Sequence, residues 1–394
     1  MPPFREWTVT RLMAFVSTVT LLAAPAPAQT ADRGVEARLE RLESRMGITP
    51  GGGGAYLRDN NIELRMLGYV QGQANVFDGA LERDSAHDFS LRRARLDFLV
   101  DLYDDYQLLV ELDGAPDRTA LVIARLDMAI AGEALKLRAG KFTSQFSTEN
   151  ARSSRSIDTV ERYLALNSLF LLPALDTQYG VMAHGSAGGD QRFNWSLGLY
   201  NGNGSANANV RDNNDAKEVQ AKIGYQWTES FSTRLALDYA EEEAQTLSLV
   251  DAGFNRFASV NIDGTREGIG GDLLWSGGDW SLRAEAMGFR FDAVAEEEVA
   301  LYGGFLQPAW FISGNDQRGT ELLLRLETSQ LDARTNTEAD ALHAATLGVN
   351  WFVNPNVRLQ VNGIATHVDG PSPSQGFSEA RTLPSLLTQL QFKF

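Results

Sequence analysis

From residue 62 to the C-terminus the chain repeats one pattern, apolar residues at every second position, in segments often 10–14 residues long. In "VRLQVNGIATHVD", Val357, Leu359, Val361, Gly363 and Ala365 share one face while Arg358, Gln360 and Asn362 share the other. In "FSTRLALDYA", Phe231, Thr233, Leu235, Leu237 and Tyr239 oppose Ser232, Arg234, Ala236 and Asp238. A period of two marks a strand with one apolar and one polar side. Sixteen such segments are read, near 62–77, 88–103, 105–113, 119–131, 134–142, 176–187, 190–201, 217–228, 231–243, 265–276, 279–292, 299–313, 319–331, 341–353, 356–368 and 381–394. Their connections alternate. Asp104-Asp105, Gly132-Glu133, Gly188-Gly189, Glu229-Ser230 and Gly277-Gly278 are short, whereas 78–87, 143–175, 202–216 and 244–264 are long.

Short turns at one end, longer loops at the other and an even strand count are the pattern of an outer-membrane β-barrel with both ends on the short-turn side. A soluble sandwich also alternates, its apolar faces meeting in a core. Segment length argues for the barrel, because ~9–11 residues cross a bilayer at a tilt. So do the aromatics near segment ends, among them Phe89, Tyr103, Tyr106, Trp195, Trp227, Trp275, Trp280, Trp351, Phe392 and Phe394, which resemble interfacial girdles. Closure removes unpaired edges that hydrocarbon does not tolerate, and sixteen strands leave an aqueous lumen. The expected fold is therefore all-β, a sixteen-stranded antiparallel transmembrane barrel over 62–394.

The segment 1–28 reads as a secretory signal: Arg5 and Arg11, an apolar run at 12–24, then Ala26-Pro27-Ala28 before cleavage ahead of Gln29. Residues 29–50 form a short amphipathic, coiled-coil-like helix, with Val35, Leu39, Leu42 and Met46 at alternating spacings of four and three. Residues 51–61 are a Gly-rich linker. The formal net charge of -16 argues against a nucleic-acid partner. With no cysteine, disulfides and thiolate metal sites are excluded.

The stretches "FSLRRARLDFLVDLYDDYQLLVELD" and "LKLRAGKFTSQFSTENARSSRSIDTVERYLALNSLFLLPALDTQYGVMAHG" resemble the phosphate-selective porin O and P family. The features that carry the likeness are Gly140-Lys141-Phe142, Phe146-Ser147-Thr148-Glu149, Glu161-Arg162, Pro173 and Gly180-Val181, with "LGLYNGNG" and "GTELLLRLETSQLD" further on. The resemblance implies a homotrimeric porin in the Gram-negative outer membrane, among lipid and lipopolysaccharide, passing small anions or other small solutes by diffusion. It also implies that the third long loop folds into the lumen, and Phe394 resembles the terminal signal read during membrane insertion.

That loop, 143–175, carries Leu164, Leu166, Leu169, Phe170, Leu171 and Leu172, too apolar to hang in water. Tucked inside, it would present Arg152, Arg155, Asp158, Glu161 and Arg162 to the pore, and such charged rings set ion preference. The polar faces predict lumen residues Arg93, Arg95, Asp97, Arg125, Asp127, Lys136, Arg138, Arg234, Arg283, Arg325 and Arg358. Lysine is scarce and both signs are mixed, so a weak anion preference is expected and not strict phosphate specificity. Glu241–Glu243 and Glu296–Glu298 read as a solvated rim. Neither a cofactor nor a metal site is expected. The rival readings are a surface adhesin or receptor barrel and a barrel hydrolase; the latter is weakened because no Gly-x-Ser-x-Gly elbow accompanies the four histidines.

Overall fold

The computed structural model describes residues 55–394 apart from 60, 78–86, 104, 116–118, 170–174, 176, 189, 203–214, 249–258, 295–297, 334–339 and 370–378. The expected signal peptide and the Val35, Leu39, Leu42 and Met46 seam lie outside the described residues.

The strands are β1 (Ala55–Asp59), β2 (Ile62–Phe77), β3 (His87–Leu102), β4 (Tyr106–Asp113), β5 (Ala120–Ala129), β6 (Lys136–Thr143), β7 (Thr177–Ala187), β8 (Phe193–Tyr200) and β9 (Glu218–Thr228). They continue with β10 (Phe231–Ser248), β11 (Ser259–Gly277), β12 (Trp280–Ala293), β13 (Val299–Gly314), β14 (Gly319–Ala333), β15 (Asp340–Asn354), β16 (Val357–Asp369) and β17 (Arg381–Lys393). Each of β2–β17 pairs antiparallel with its sequence neighbours, and β17 pairs with β2, running from Ser385↔Phe77 to Lys393↔Tyr69. The result is a closed antiparallel barrel of sixteen strands.

The period-two pattern sorts the side chains as a membrane barrel requires. Val181, Leu199, Leu237, Ile269, Leu326, Leu347 and Leu390 are exposed on the outer wall, while Gln71, Arg325, Asn350, Gln360 and Gln391 are buried on the inner one. Trp195, Trp227, Trp275, Trp280, Trp310 and Trp351 all stand at the short-turn ends of their strands, where the indole N–H meets the interface and its ring the hydrocarbon. Trp280 and Trp310, opposite one another across β12 and β13, stack with centroids 5.3 Å apart. Phe89, Tyr179 and Tyr302 mark the long-loop ends.

Two boundaries depart from the sequence reading. β10 and β11 run on well past the expected 243 and 265, pairing out to Ser248↔Ser259. Beyond the membrane band both faces of a strand meet water, so the alternation fades while the ladder continues, here across a bulge between Glu242 and Gln245. The expected linker 51–61 also contains β1, which pairs with β2 from Ala55↔Met66 to Asp59↔Ile62. That edge of β2 is the part β17 has already passed: Phe394 ends opposite Gly68, each N–H donating to the other's carbonyl at 3.0 Å. β1 thus takes up backbone groups on β2 that closure leaves open.

Candidate functional site

The connection between β6 and β7 reaches strands across the ring. Ser144 Oγ donates to Gln220 Oε1 on β9 at 2.7 Å, and Lys222 Nζ on β9 donates to the Gln145 and Phe146 carbonyls at 3.1 and 3.2 Å. A one-turn helix α1 (Thr148–Ala151) follows, capped by Ser147, whose Oγ accepts from Asn150 N at 3.0 Å and donates to Glu285 on β12 at 2.5 Å. Inner-wall amides then hold the backbone. Gln71 on β2 donates to Ser154 O, Gln391 on β17 to Arg155 O, and Asn350 and Gln360 on β15 and β16 to Asp158 O, at 2.8–3.2 Å. Val160 N donates to Asn362 Oδ1 at 2.7 Å. Because β6 and β7 lie across the ring from β15 and β16, a loop so held crosses the lumen.

A second helix, α2 (Leu164–Leu169), starts where Leu164 N donates to Glu327 on β14 at 2.7 Å. Here the inner wall is apolar. Tyr163, Ala165, Leu166 and Leu175 are fully buried against Ile262, Phe289, Phe291, Val299, Leu301, Leu331 and Leu342 from β11–β15. Tyr163 lies 4.7 Å from Phe305, centroid to centroid. Each large apolar side chain so buried contributes about 1.5–3 kcal/mol. The corresponding segment "VALYGGFL" is apolar on both faces, and the inward positions of "AMGFRF", Met287, Phe289 and Phe291, are apolar as well, a sequence signal for an inner wall that is covered.

The five loop residues expected at the pore occupy different situations. Arg152 lies between Glu149 and Asp158, 3.0 Å from each. Asp158 also meets Arg283 at 2.9 Å and accepts from Gln307 at 3.0 Å. Burial acts to raise the Asp158 carboxyl pKa, but Arg152 and Arg283 outweigh it and hold the value well below the usual range. Burial likewise opposes the Arg152 charge, and Asp158 and Glu149 more than compensate. Arg162 donates to the Asn150 and Arg152 carbonyls at 3.4 and 3.0 Å, tying the turn together. Arg155 is one-third exposed and reaches Asp97 on β3 only at 3.8 Å. Glu161 accepts from Arg92 Nε at 2.9 Å; burial opposes its charge and Arg92 prevails, lowering its pKa.

On the wall beside β3–β7, which the loop's main anchors leave uncovered, the expected lumen residues form chains. Arg95 pairs with Glu111 and, at 3.0 Å, with Asp113. Asp127 lies between Arg125 at 3.0 Å and Arg138 at 2.6 Å. Lys136 meets Glu133 near the short-turn rim at 2.6 Å. On the loop's own side, Arg234 meets Asp272 at 2.7 Å and Arg325 meets Glu149 at 3.1 Å. Arg93 donates to Gln71 Oε1, and Arg358 to the Ile157 and Arg155 carbonyls.

One contributor escapes a strict period-two reading, and another faces inward by it but takes its partners from the register. A bulge skips Arg92 between the Gln71↔Arg93 and Gly72↔Leu91 pairs and gives it to Glu161, where alternation would send it to lipid. Arg266, fully buried, gathers Glu218, Asp238 and Glu242. Its place opposite Ala240 is fixed by the β10–β11 register, which spacing along one strand does not specify.

In most of the lumen pairs the guanidinium is the more exposed partner; Arg138–Asp127 and Arg152–Asp158 are evenly exposed, and the fully buried Arg266 and Arg325 pairs do not follow the order. Side-chain exposure is 33% for Arg155 against 9% for Asp97, 28% for Arg234 against 5% for Asp272, and 28% for Arg283 against 16% for Asp158. Arg92–Glu161, Arg95–Glu111 and Arg125–Asp127 share that order.

A closed barrel with a lipid-facing apolar wall, a charged lumen and a loop across it is an outer-membrane channel. Its sequence matches the family described as phosphate-selective porin O and P over residues 64–394. The chain belongs to that family, whose fold is that of a channel rather than an enzyme. No curated protein matches it. Among solved structures it is similar to the trimer form of OmpT from Vibrio cholerae (11% identity, 85% of this chain and 100% of that one, TM-score 0.59). It is also similar to an anion-selective porin from Comamonas acidovorans (11%, 84% and 100%, 0.58) and to the outer membrane channel DcaP of Acinetobacter baumannii (12%, 87% and 100%, 0.59).

Proposed function

We propose that this outer-membrane channel passes small hydrophilic solutes by diffusion with a weak preference for anions, through an eyelet between loop 144–163 and the β3–β7 wall. The observation that carries this is the exposure order within the accessible pairs Arg155–Asp97, Arg234–Asp272 and Arg283–Asp158: there a permeating ion meets guanidinium faces first, with the carboxylates set behind them. Arginine keeps its charge at any working pH and presents a fork of donors to oxyanions. The net charge of -16 does not decide the matter, because exposed charges are screened beyond ~8–10 Å at physiological salt. The partnering carboxylates keep the preference weak. The test is the reversal potential of single channels in a salt gradient. A displacement toward the anion potential is expected for the parent and a shift toward cations for Arg155→Glu. A parent that is cation-selective overturns the reading.

The same reading makes the protein a homotrimer, supported by the trimer form of its OmpT neighbour and by the Val35, Leu39, Leu42 and Met46 seam, which would hold protomers together on the periplasmic side. Phe394 serves as the insertion signal. Outer-membrane lipid and lipopolysaccharide surround the outer wall.

A further inference from the structure

Two of the chain's four histidines face one another outside the pore. His343 on β15 is the direct cross-strand partner of His367 on β16. Asn350 points inward on β15 to hold the loop, so the odd positions, His343 with Leu347 and Trp351, point outward; on β16, Asn362 points inward and His367 outward by the same count. Asp369 lies on the same outward face and divides its carboxylate between the rings. Its Oδ2 is 3.3 Å from His343 Nε2, and its Oδ1 is 3.1 Å from His367 Nε2. All three side chains are roughly half exposed, at 50%, 44% and 47%. The His367 ring is held from behind, its Nδ1 lying 2.9 Å from Thr382 Oγ1 on β17.

The height of the trio sets its surroundings. His343 stands eight positions up β15 from Trp351, which marks the short-turn interface. A tilted strand rises about 20 Å over that distance, most of the apolar band, so the trio sits at the outer headgroup level where water and ions have access.

We propose that His343, His367 and Asp369 form a site for a borderline divalent transition metal of the zinc class. Directly opposed residues on antiparallel strands hold their Cβ atoms ~4.5–5.5 Å apart, a spacing from which two imidazoles can turn their Nε2 atoms onto one ion at ~2.0–2.1 Å. In the structure the two Nε2 atoms converge on the carboxylate, and among the described residues no three such groups already converge on one ion position. A rotation of Asp369 lets the ion take the place the carboxylate now fills and makes a carboxylate oxygen the third ligand. His367 then carries its proton on Nδ1, donating to Thr382 Oγ1. A hydrogen bond to the far nitrogen fixes tautomer and ring orientation at imidazole–metal sites. Two nitrogens and one oxygen select zinc, nickel or copper over calcium and magnesium, which take oxygen ligands. A fourth position remains open toward the headgroups. Bound there, the ion links β15 to β16 at the cell-surface rim without entering the pore.

The test is zinc chloride titrated into tag-free, detergent-solubilised protein, with binding read by calorimetry. One saturable zinc per protomer at micromolar affinity is expected, undisturbed by a thousandfold excess of calcium. His343→Ala with His367→Ala should abolish it while conductance persists, which shows that the barrel is intact. Thr382→Val should weaken it about tenfold, the lower end of what outer-shell partners of metal ligands cost. Absence of saturable binding overturns the proposal, as does displacement by calcium. Zinc affinity unchanged in the folded double variant overturns it too, since the ion would then lie elsewhere.

Discussion

At the scale of single residues, the arginines of the loop divide, on the proposed channel function, into one that reads the solute and others that hold the backbone. Arg152 bridges Glu149 and Asp158, so its charge is spent on the loop. Arg155, one-third exposed and with Asp97 at 3.8 Å, is on the same proposal the one whose charge reaches the pore. Arg155→Glu should therefore move the reversal potential with little change in open-channel noise. Arg152→Ala should instead leave Glu149 with Arg325 and Asp158 with Arg283 as their remaining cations, a loss below the ~3–5 kcal/mol of a fully broken buried pair, and appear as noisy, unstable conductance. If both substitutions shift selectivity equally and neither raises the noise, this division of roles fails. The residue types were legible in the sequence, since Arg152, Arg155 and Arg162 stand out in one apolar loop. Their roles were not, because a role depends on which carboxylate a three-dimensional turn brings within reach. Arg92 makes the same point: one bulge on β3 reverses the side it faces.

At the scale of elements, the strands were the legible part and the loop the hidden part. Alternation in a membrane barrel is enforced on every strand by lipid on one side and water on the other, so fifteen-residue runs such as Gly319–Ala333 announce themselves. The loop has no period. Its apolar content signalled burial, but the surface receiving it, the inward Phe289, Phe291 and Leu301, breaks the rule that the inner face is polar. Leu166→Ala should cost about 2–5 kcal/mol of loop docking and raise open-channel fluctuation while leaving heat-resistant barrels intact; a quiet channel would place the holding force in the amide contacts alone. The loop carboxylates add a pH dependence of definite sign. The Asp158 and Glu161 pKa values are lowered in the folded loop. Their stabilisation is therefore complete above the unfolded carboxylate range, near about 4, and is lost as pH falls through the lower folded values. Voltage-induced closure should keep its threshold from pH ~8 to ~5 and become easier only below about 4. A threshold that changes around neutrality would assign closure to other groups.

At the scale of the whole molecule, one seam makes the barrel. Fifteen hairpins join neighbours in sequence, but the β17–β2 pair joins residues more than three hundred positions apart, which is the slowest kind of contact to find. The lower edge of β2 is shared, with β17 paired up to Gly68 and β1 below it. The last residue lies where the two meet. Phe394 exchanges two backbone hydrogen bonds with Gly68, and its ring lies so close that a Cβ added to Gly68 would fall 2.5 Å from Phe394 Cζ. Glycine at 68 is thus what lets the terminal ring lie flat on the closing strand. Outside, the ring joins Phe392, centroids 6.4 Å apart, in the short-turn girdle. Deleting Phe394, or changing it to Ser, should remove both the last rung and the interfacial anchor, so that outer-membrane abundance falls and periplasmic aggregate rises. Gly68→Ala, whose Cβ would meet both the Phe394 ring and, at 2.7 Å, the Arg95 carbonyl, should impair closure as well while leaving the terminal aromatic for the insertion machinery to read. Fractionated cells compared by immunoblot separate the two contributions. If Phe394→Ser is defective and Gly68→Ala is not, the ring acts as a recognition signal and its packing is secondary. Equal abundance of parent, Phe394→Ser and Gly68→Ala would show that closure proceeds without this rung and would remove Phe394 from any part in assembly.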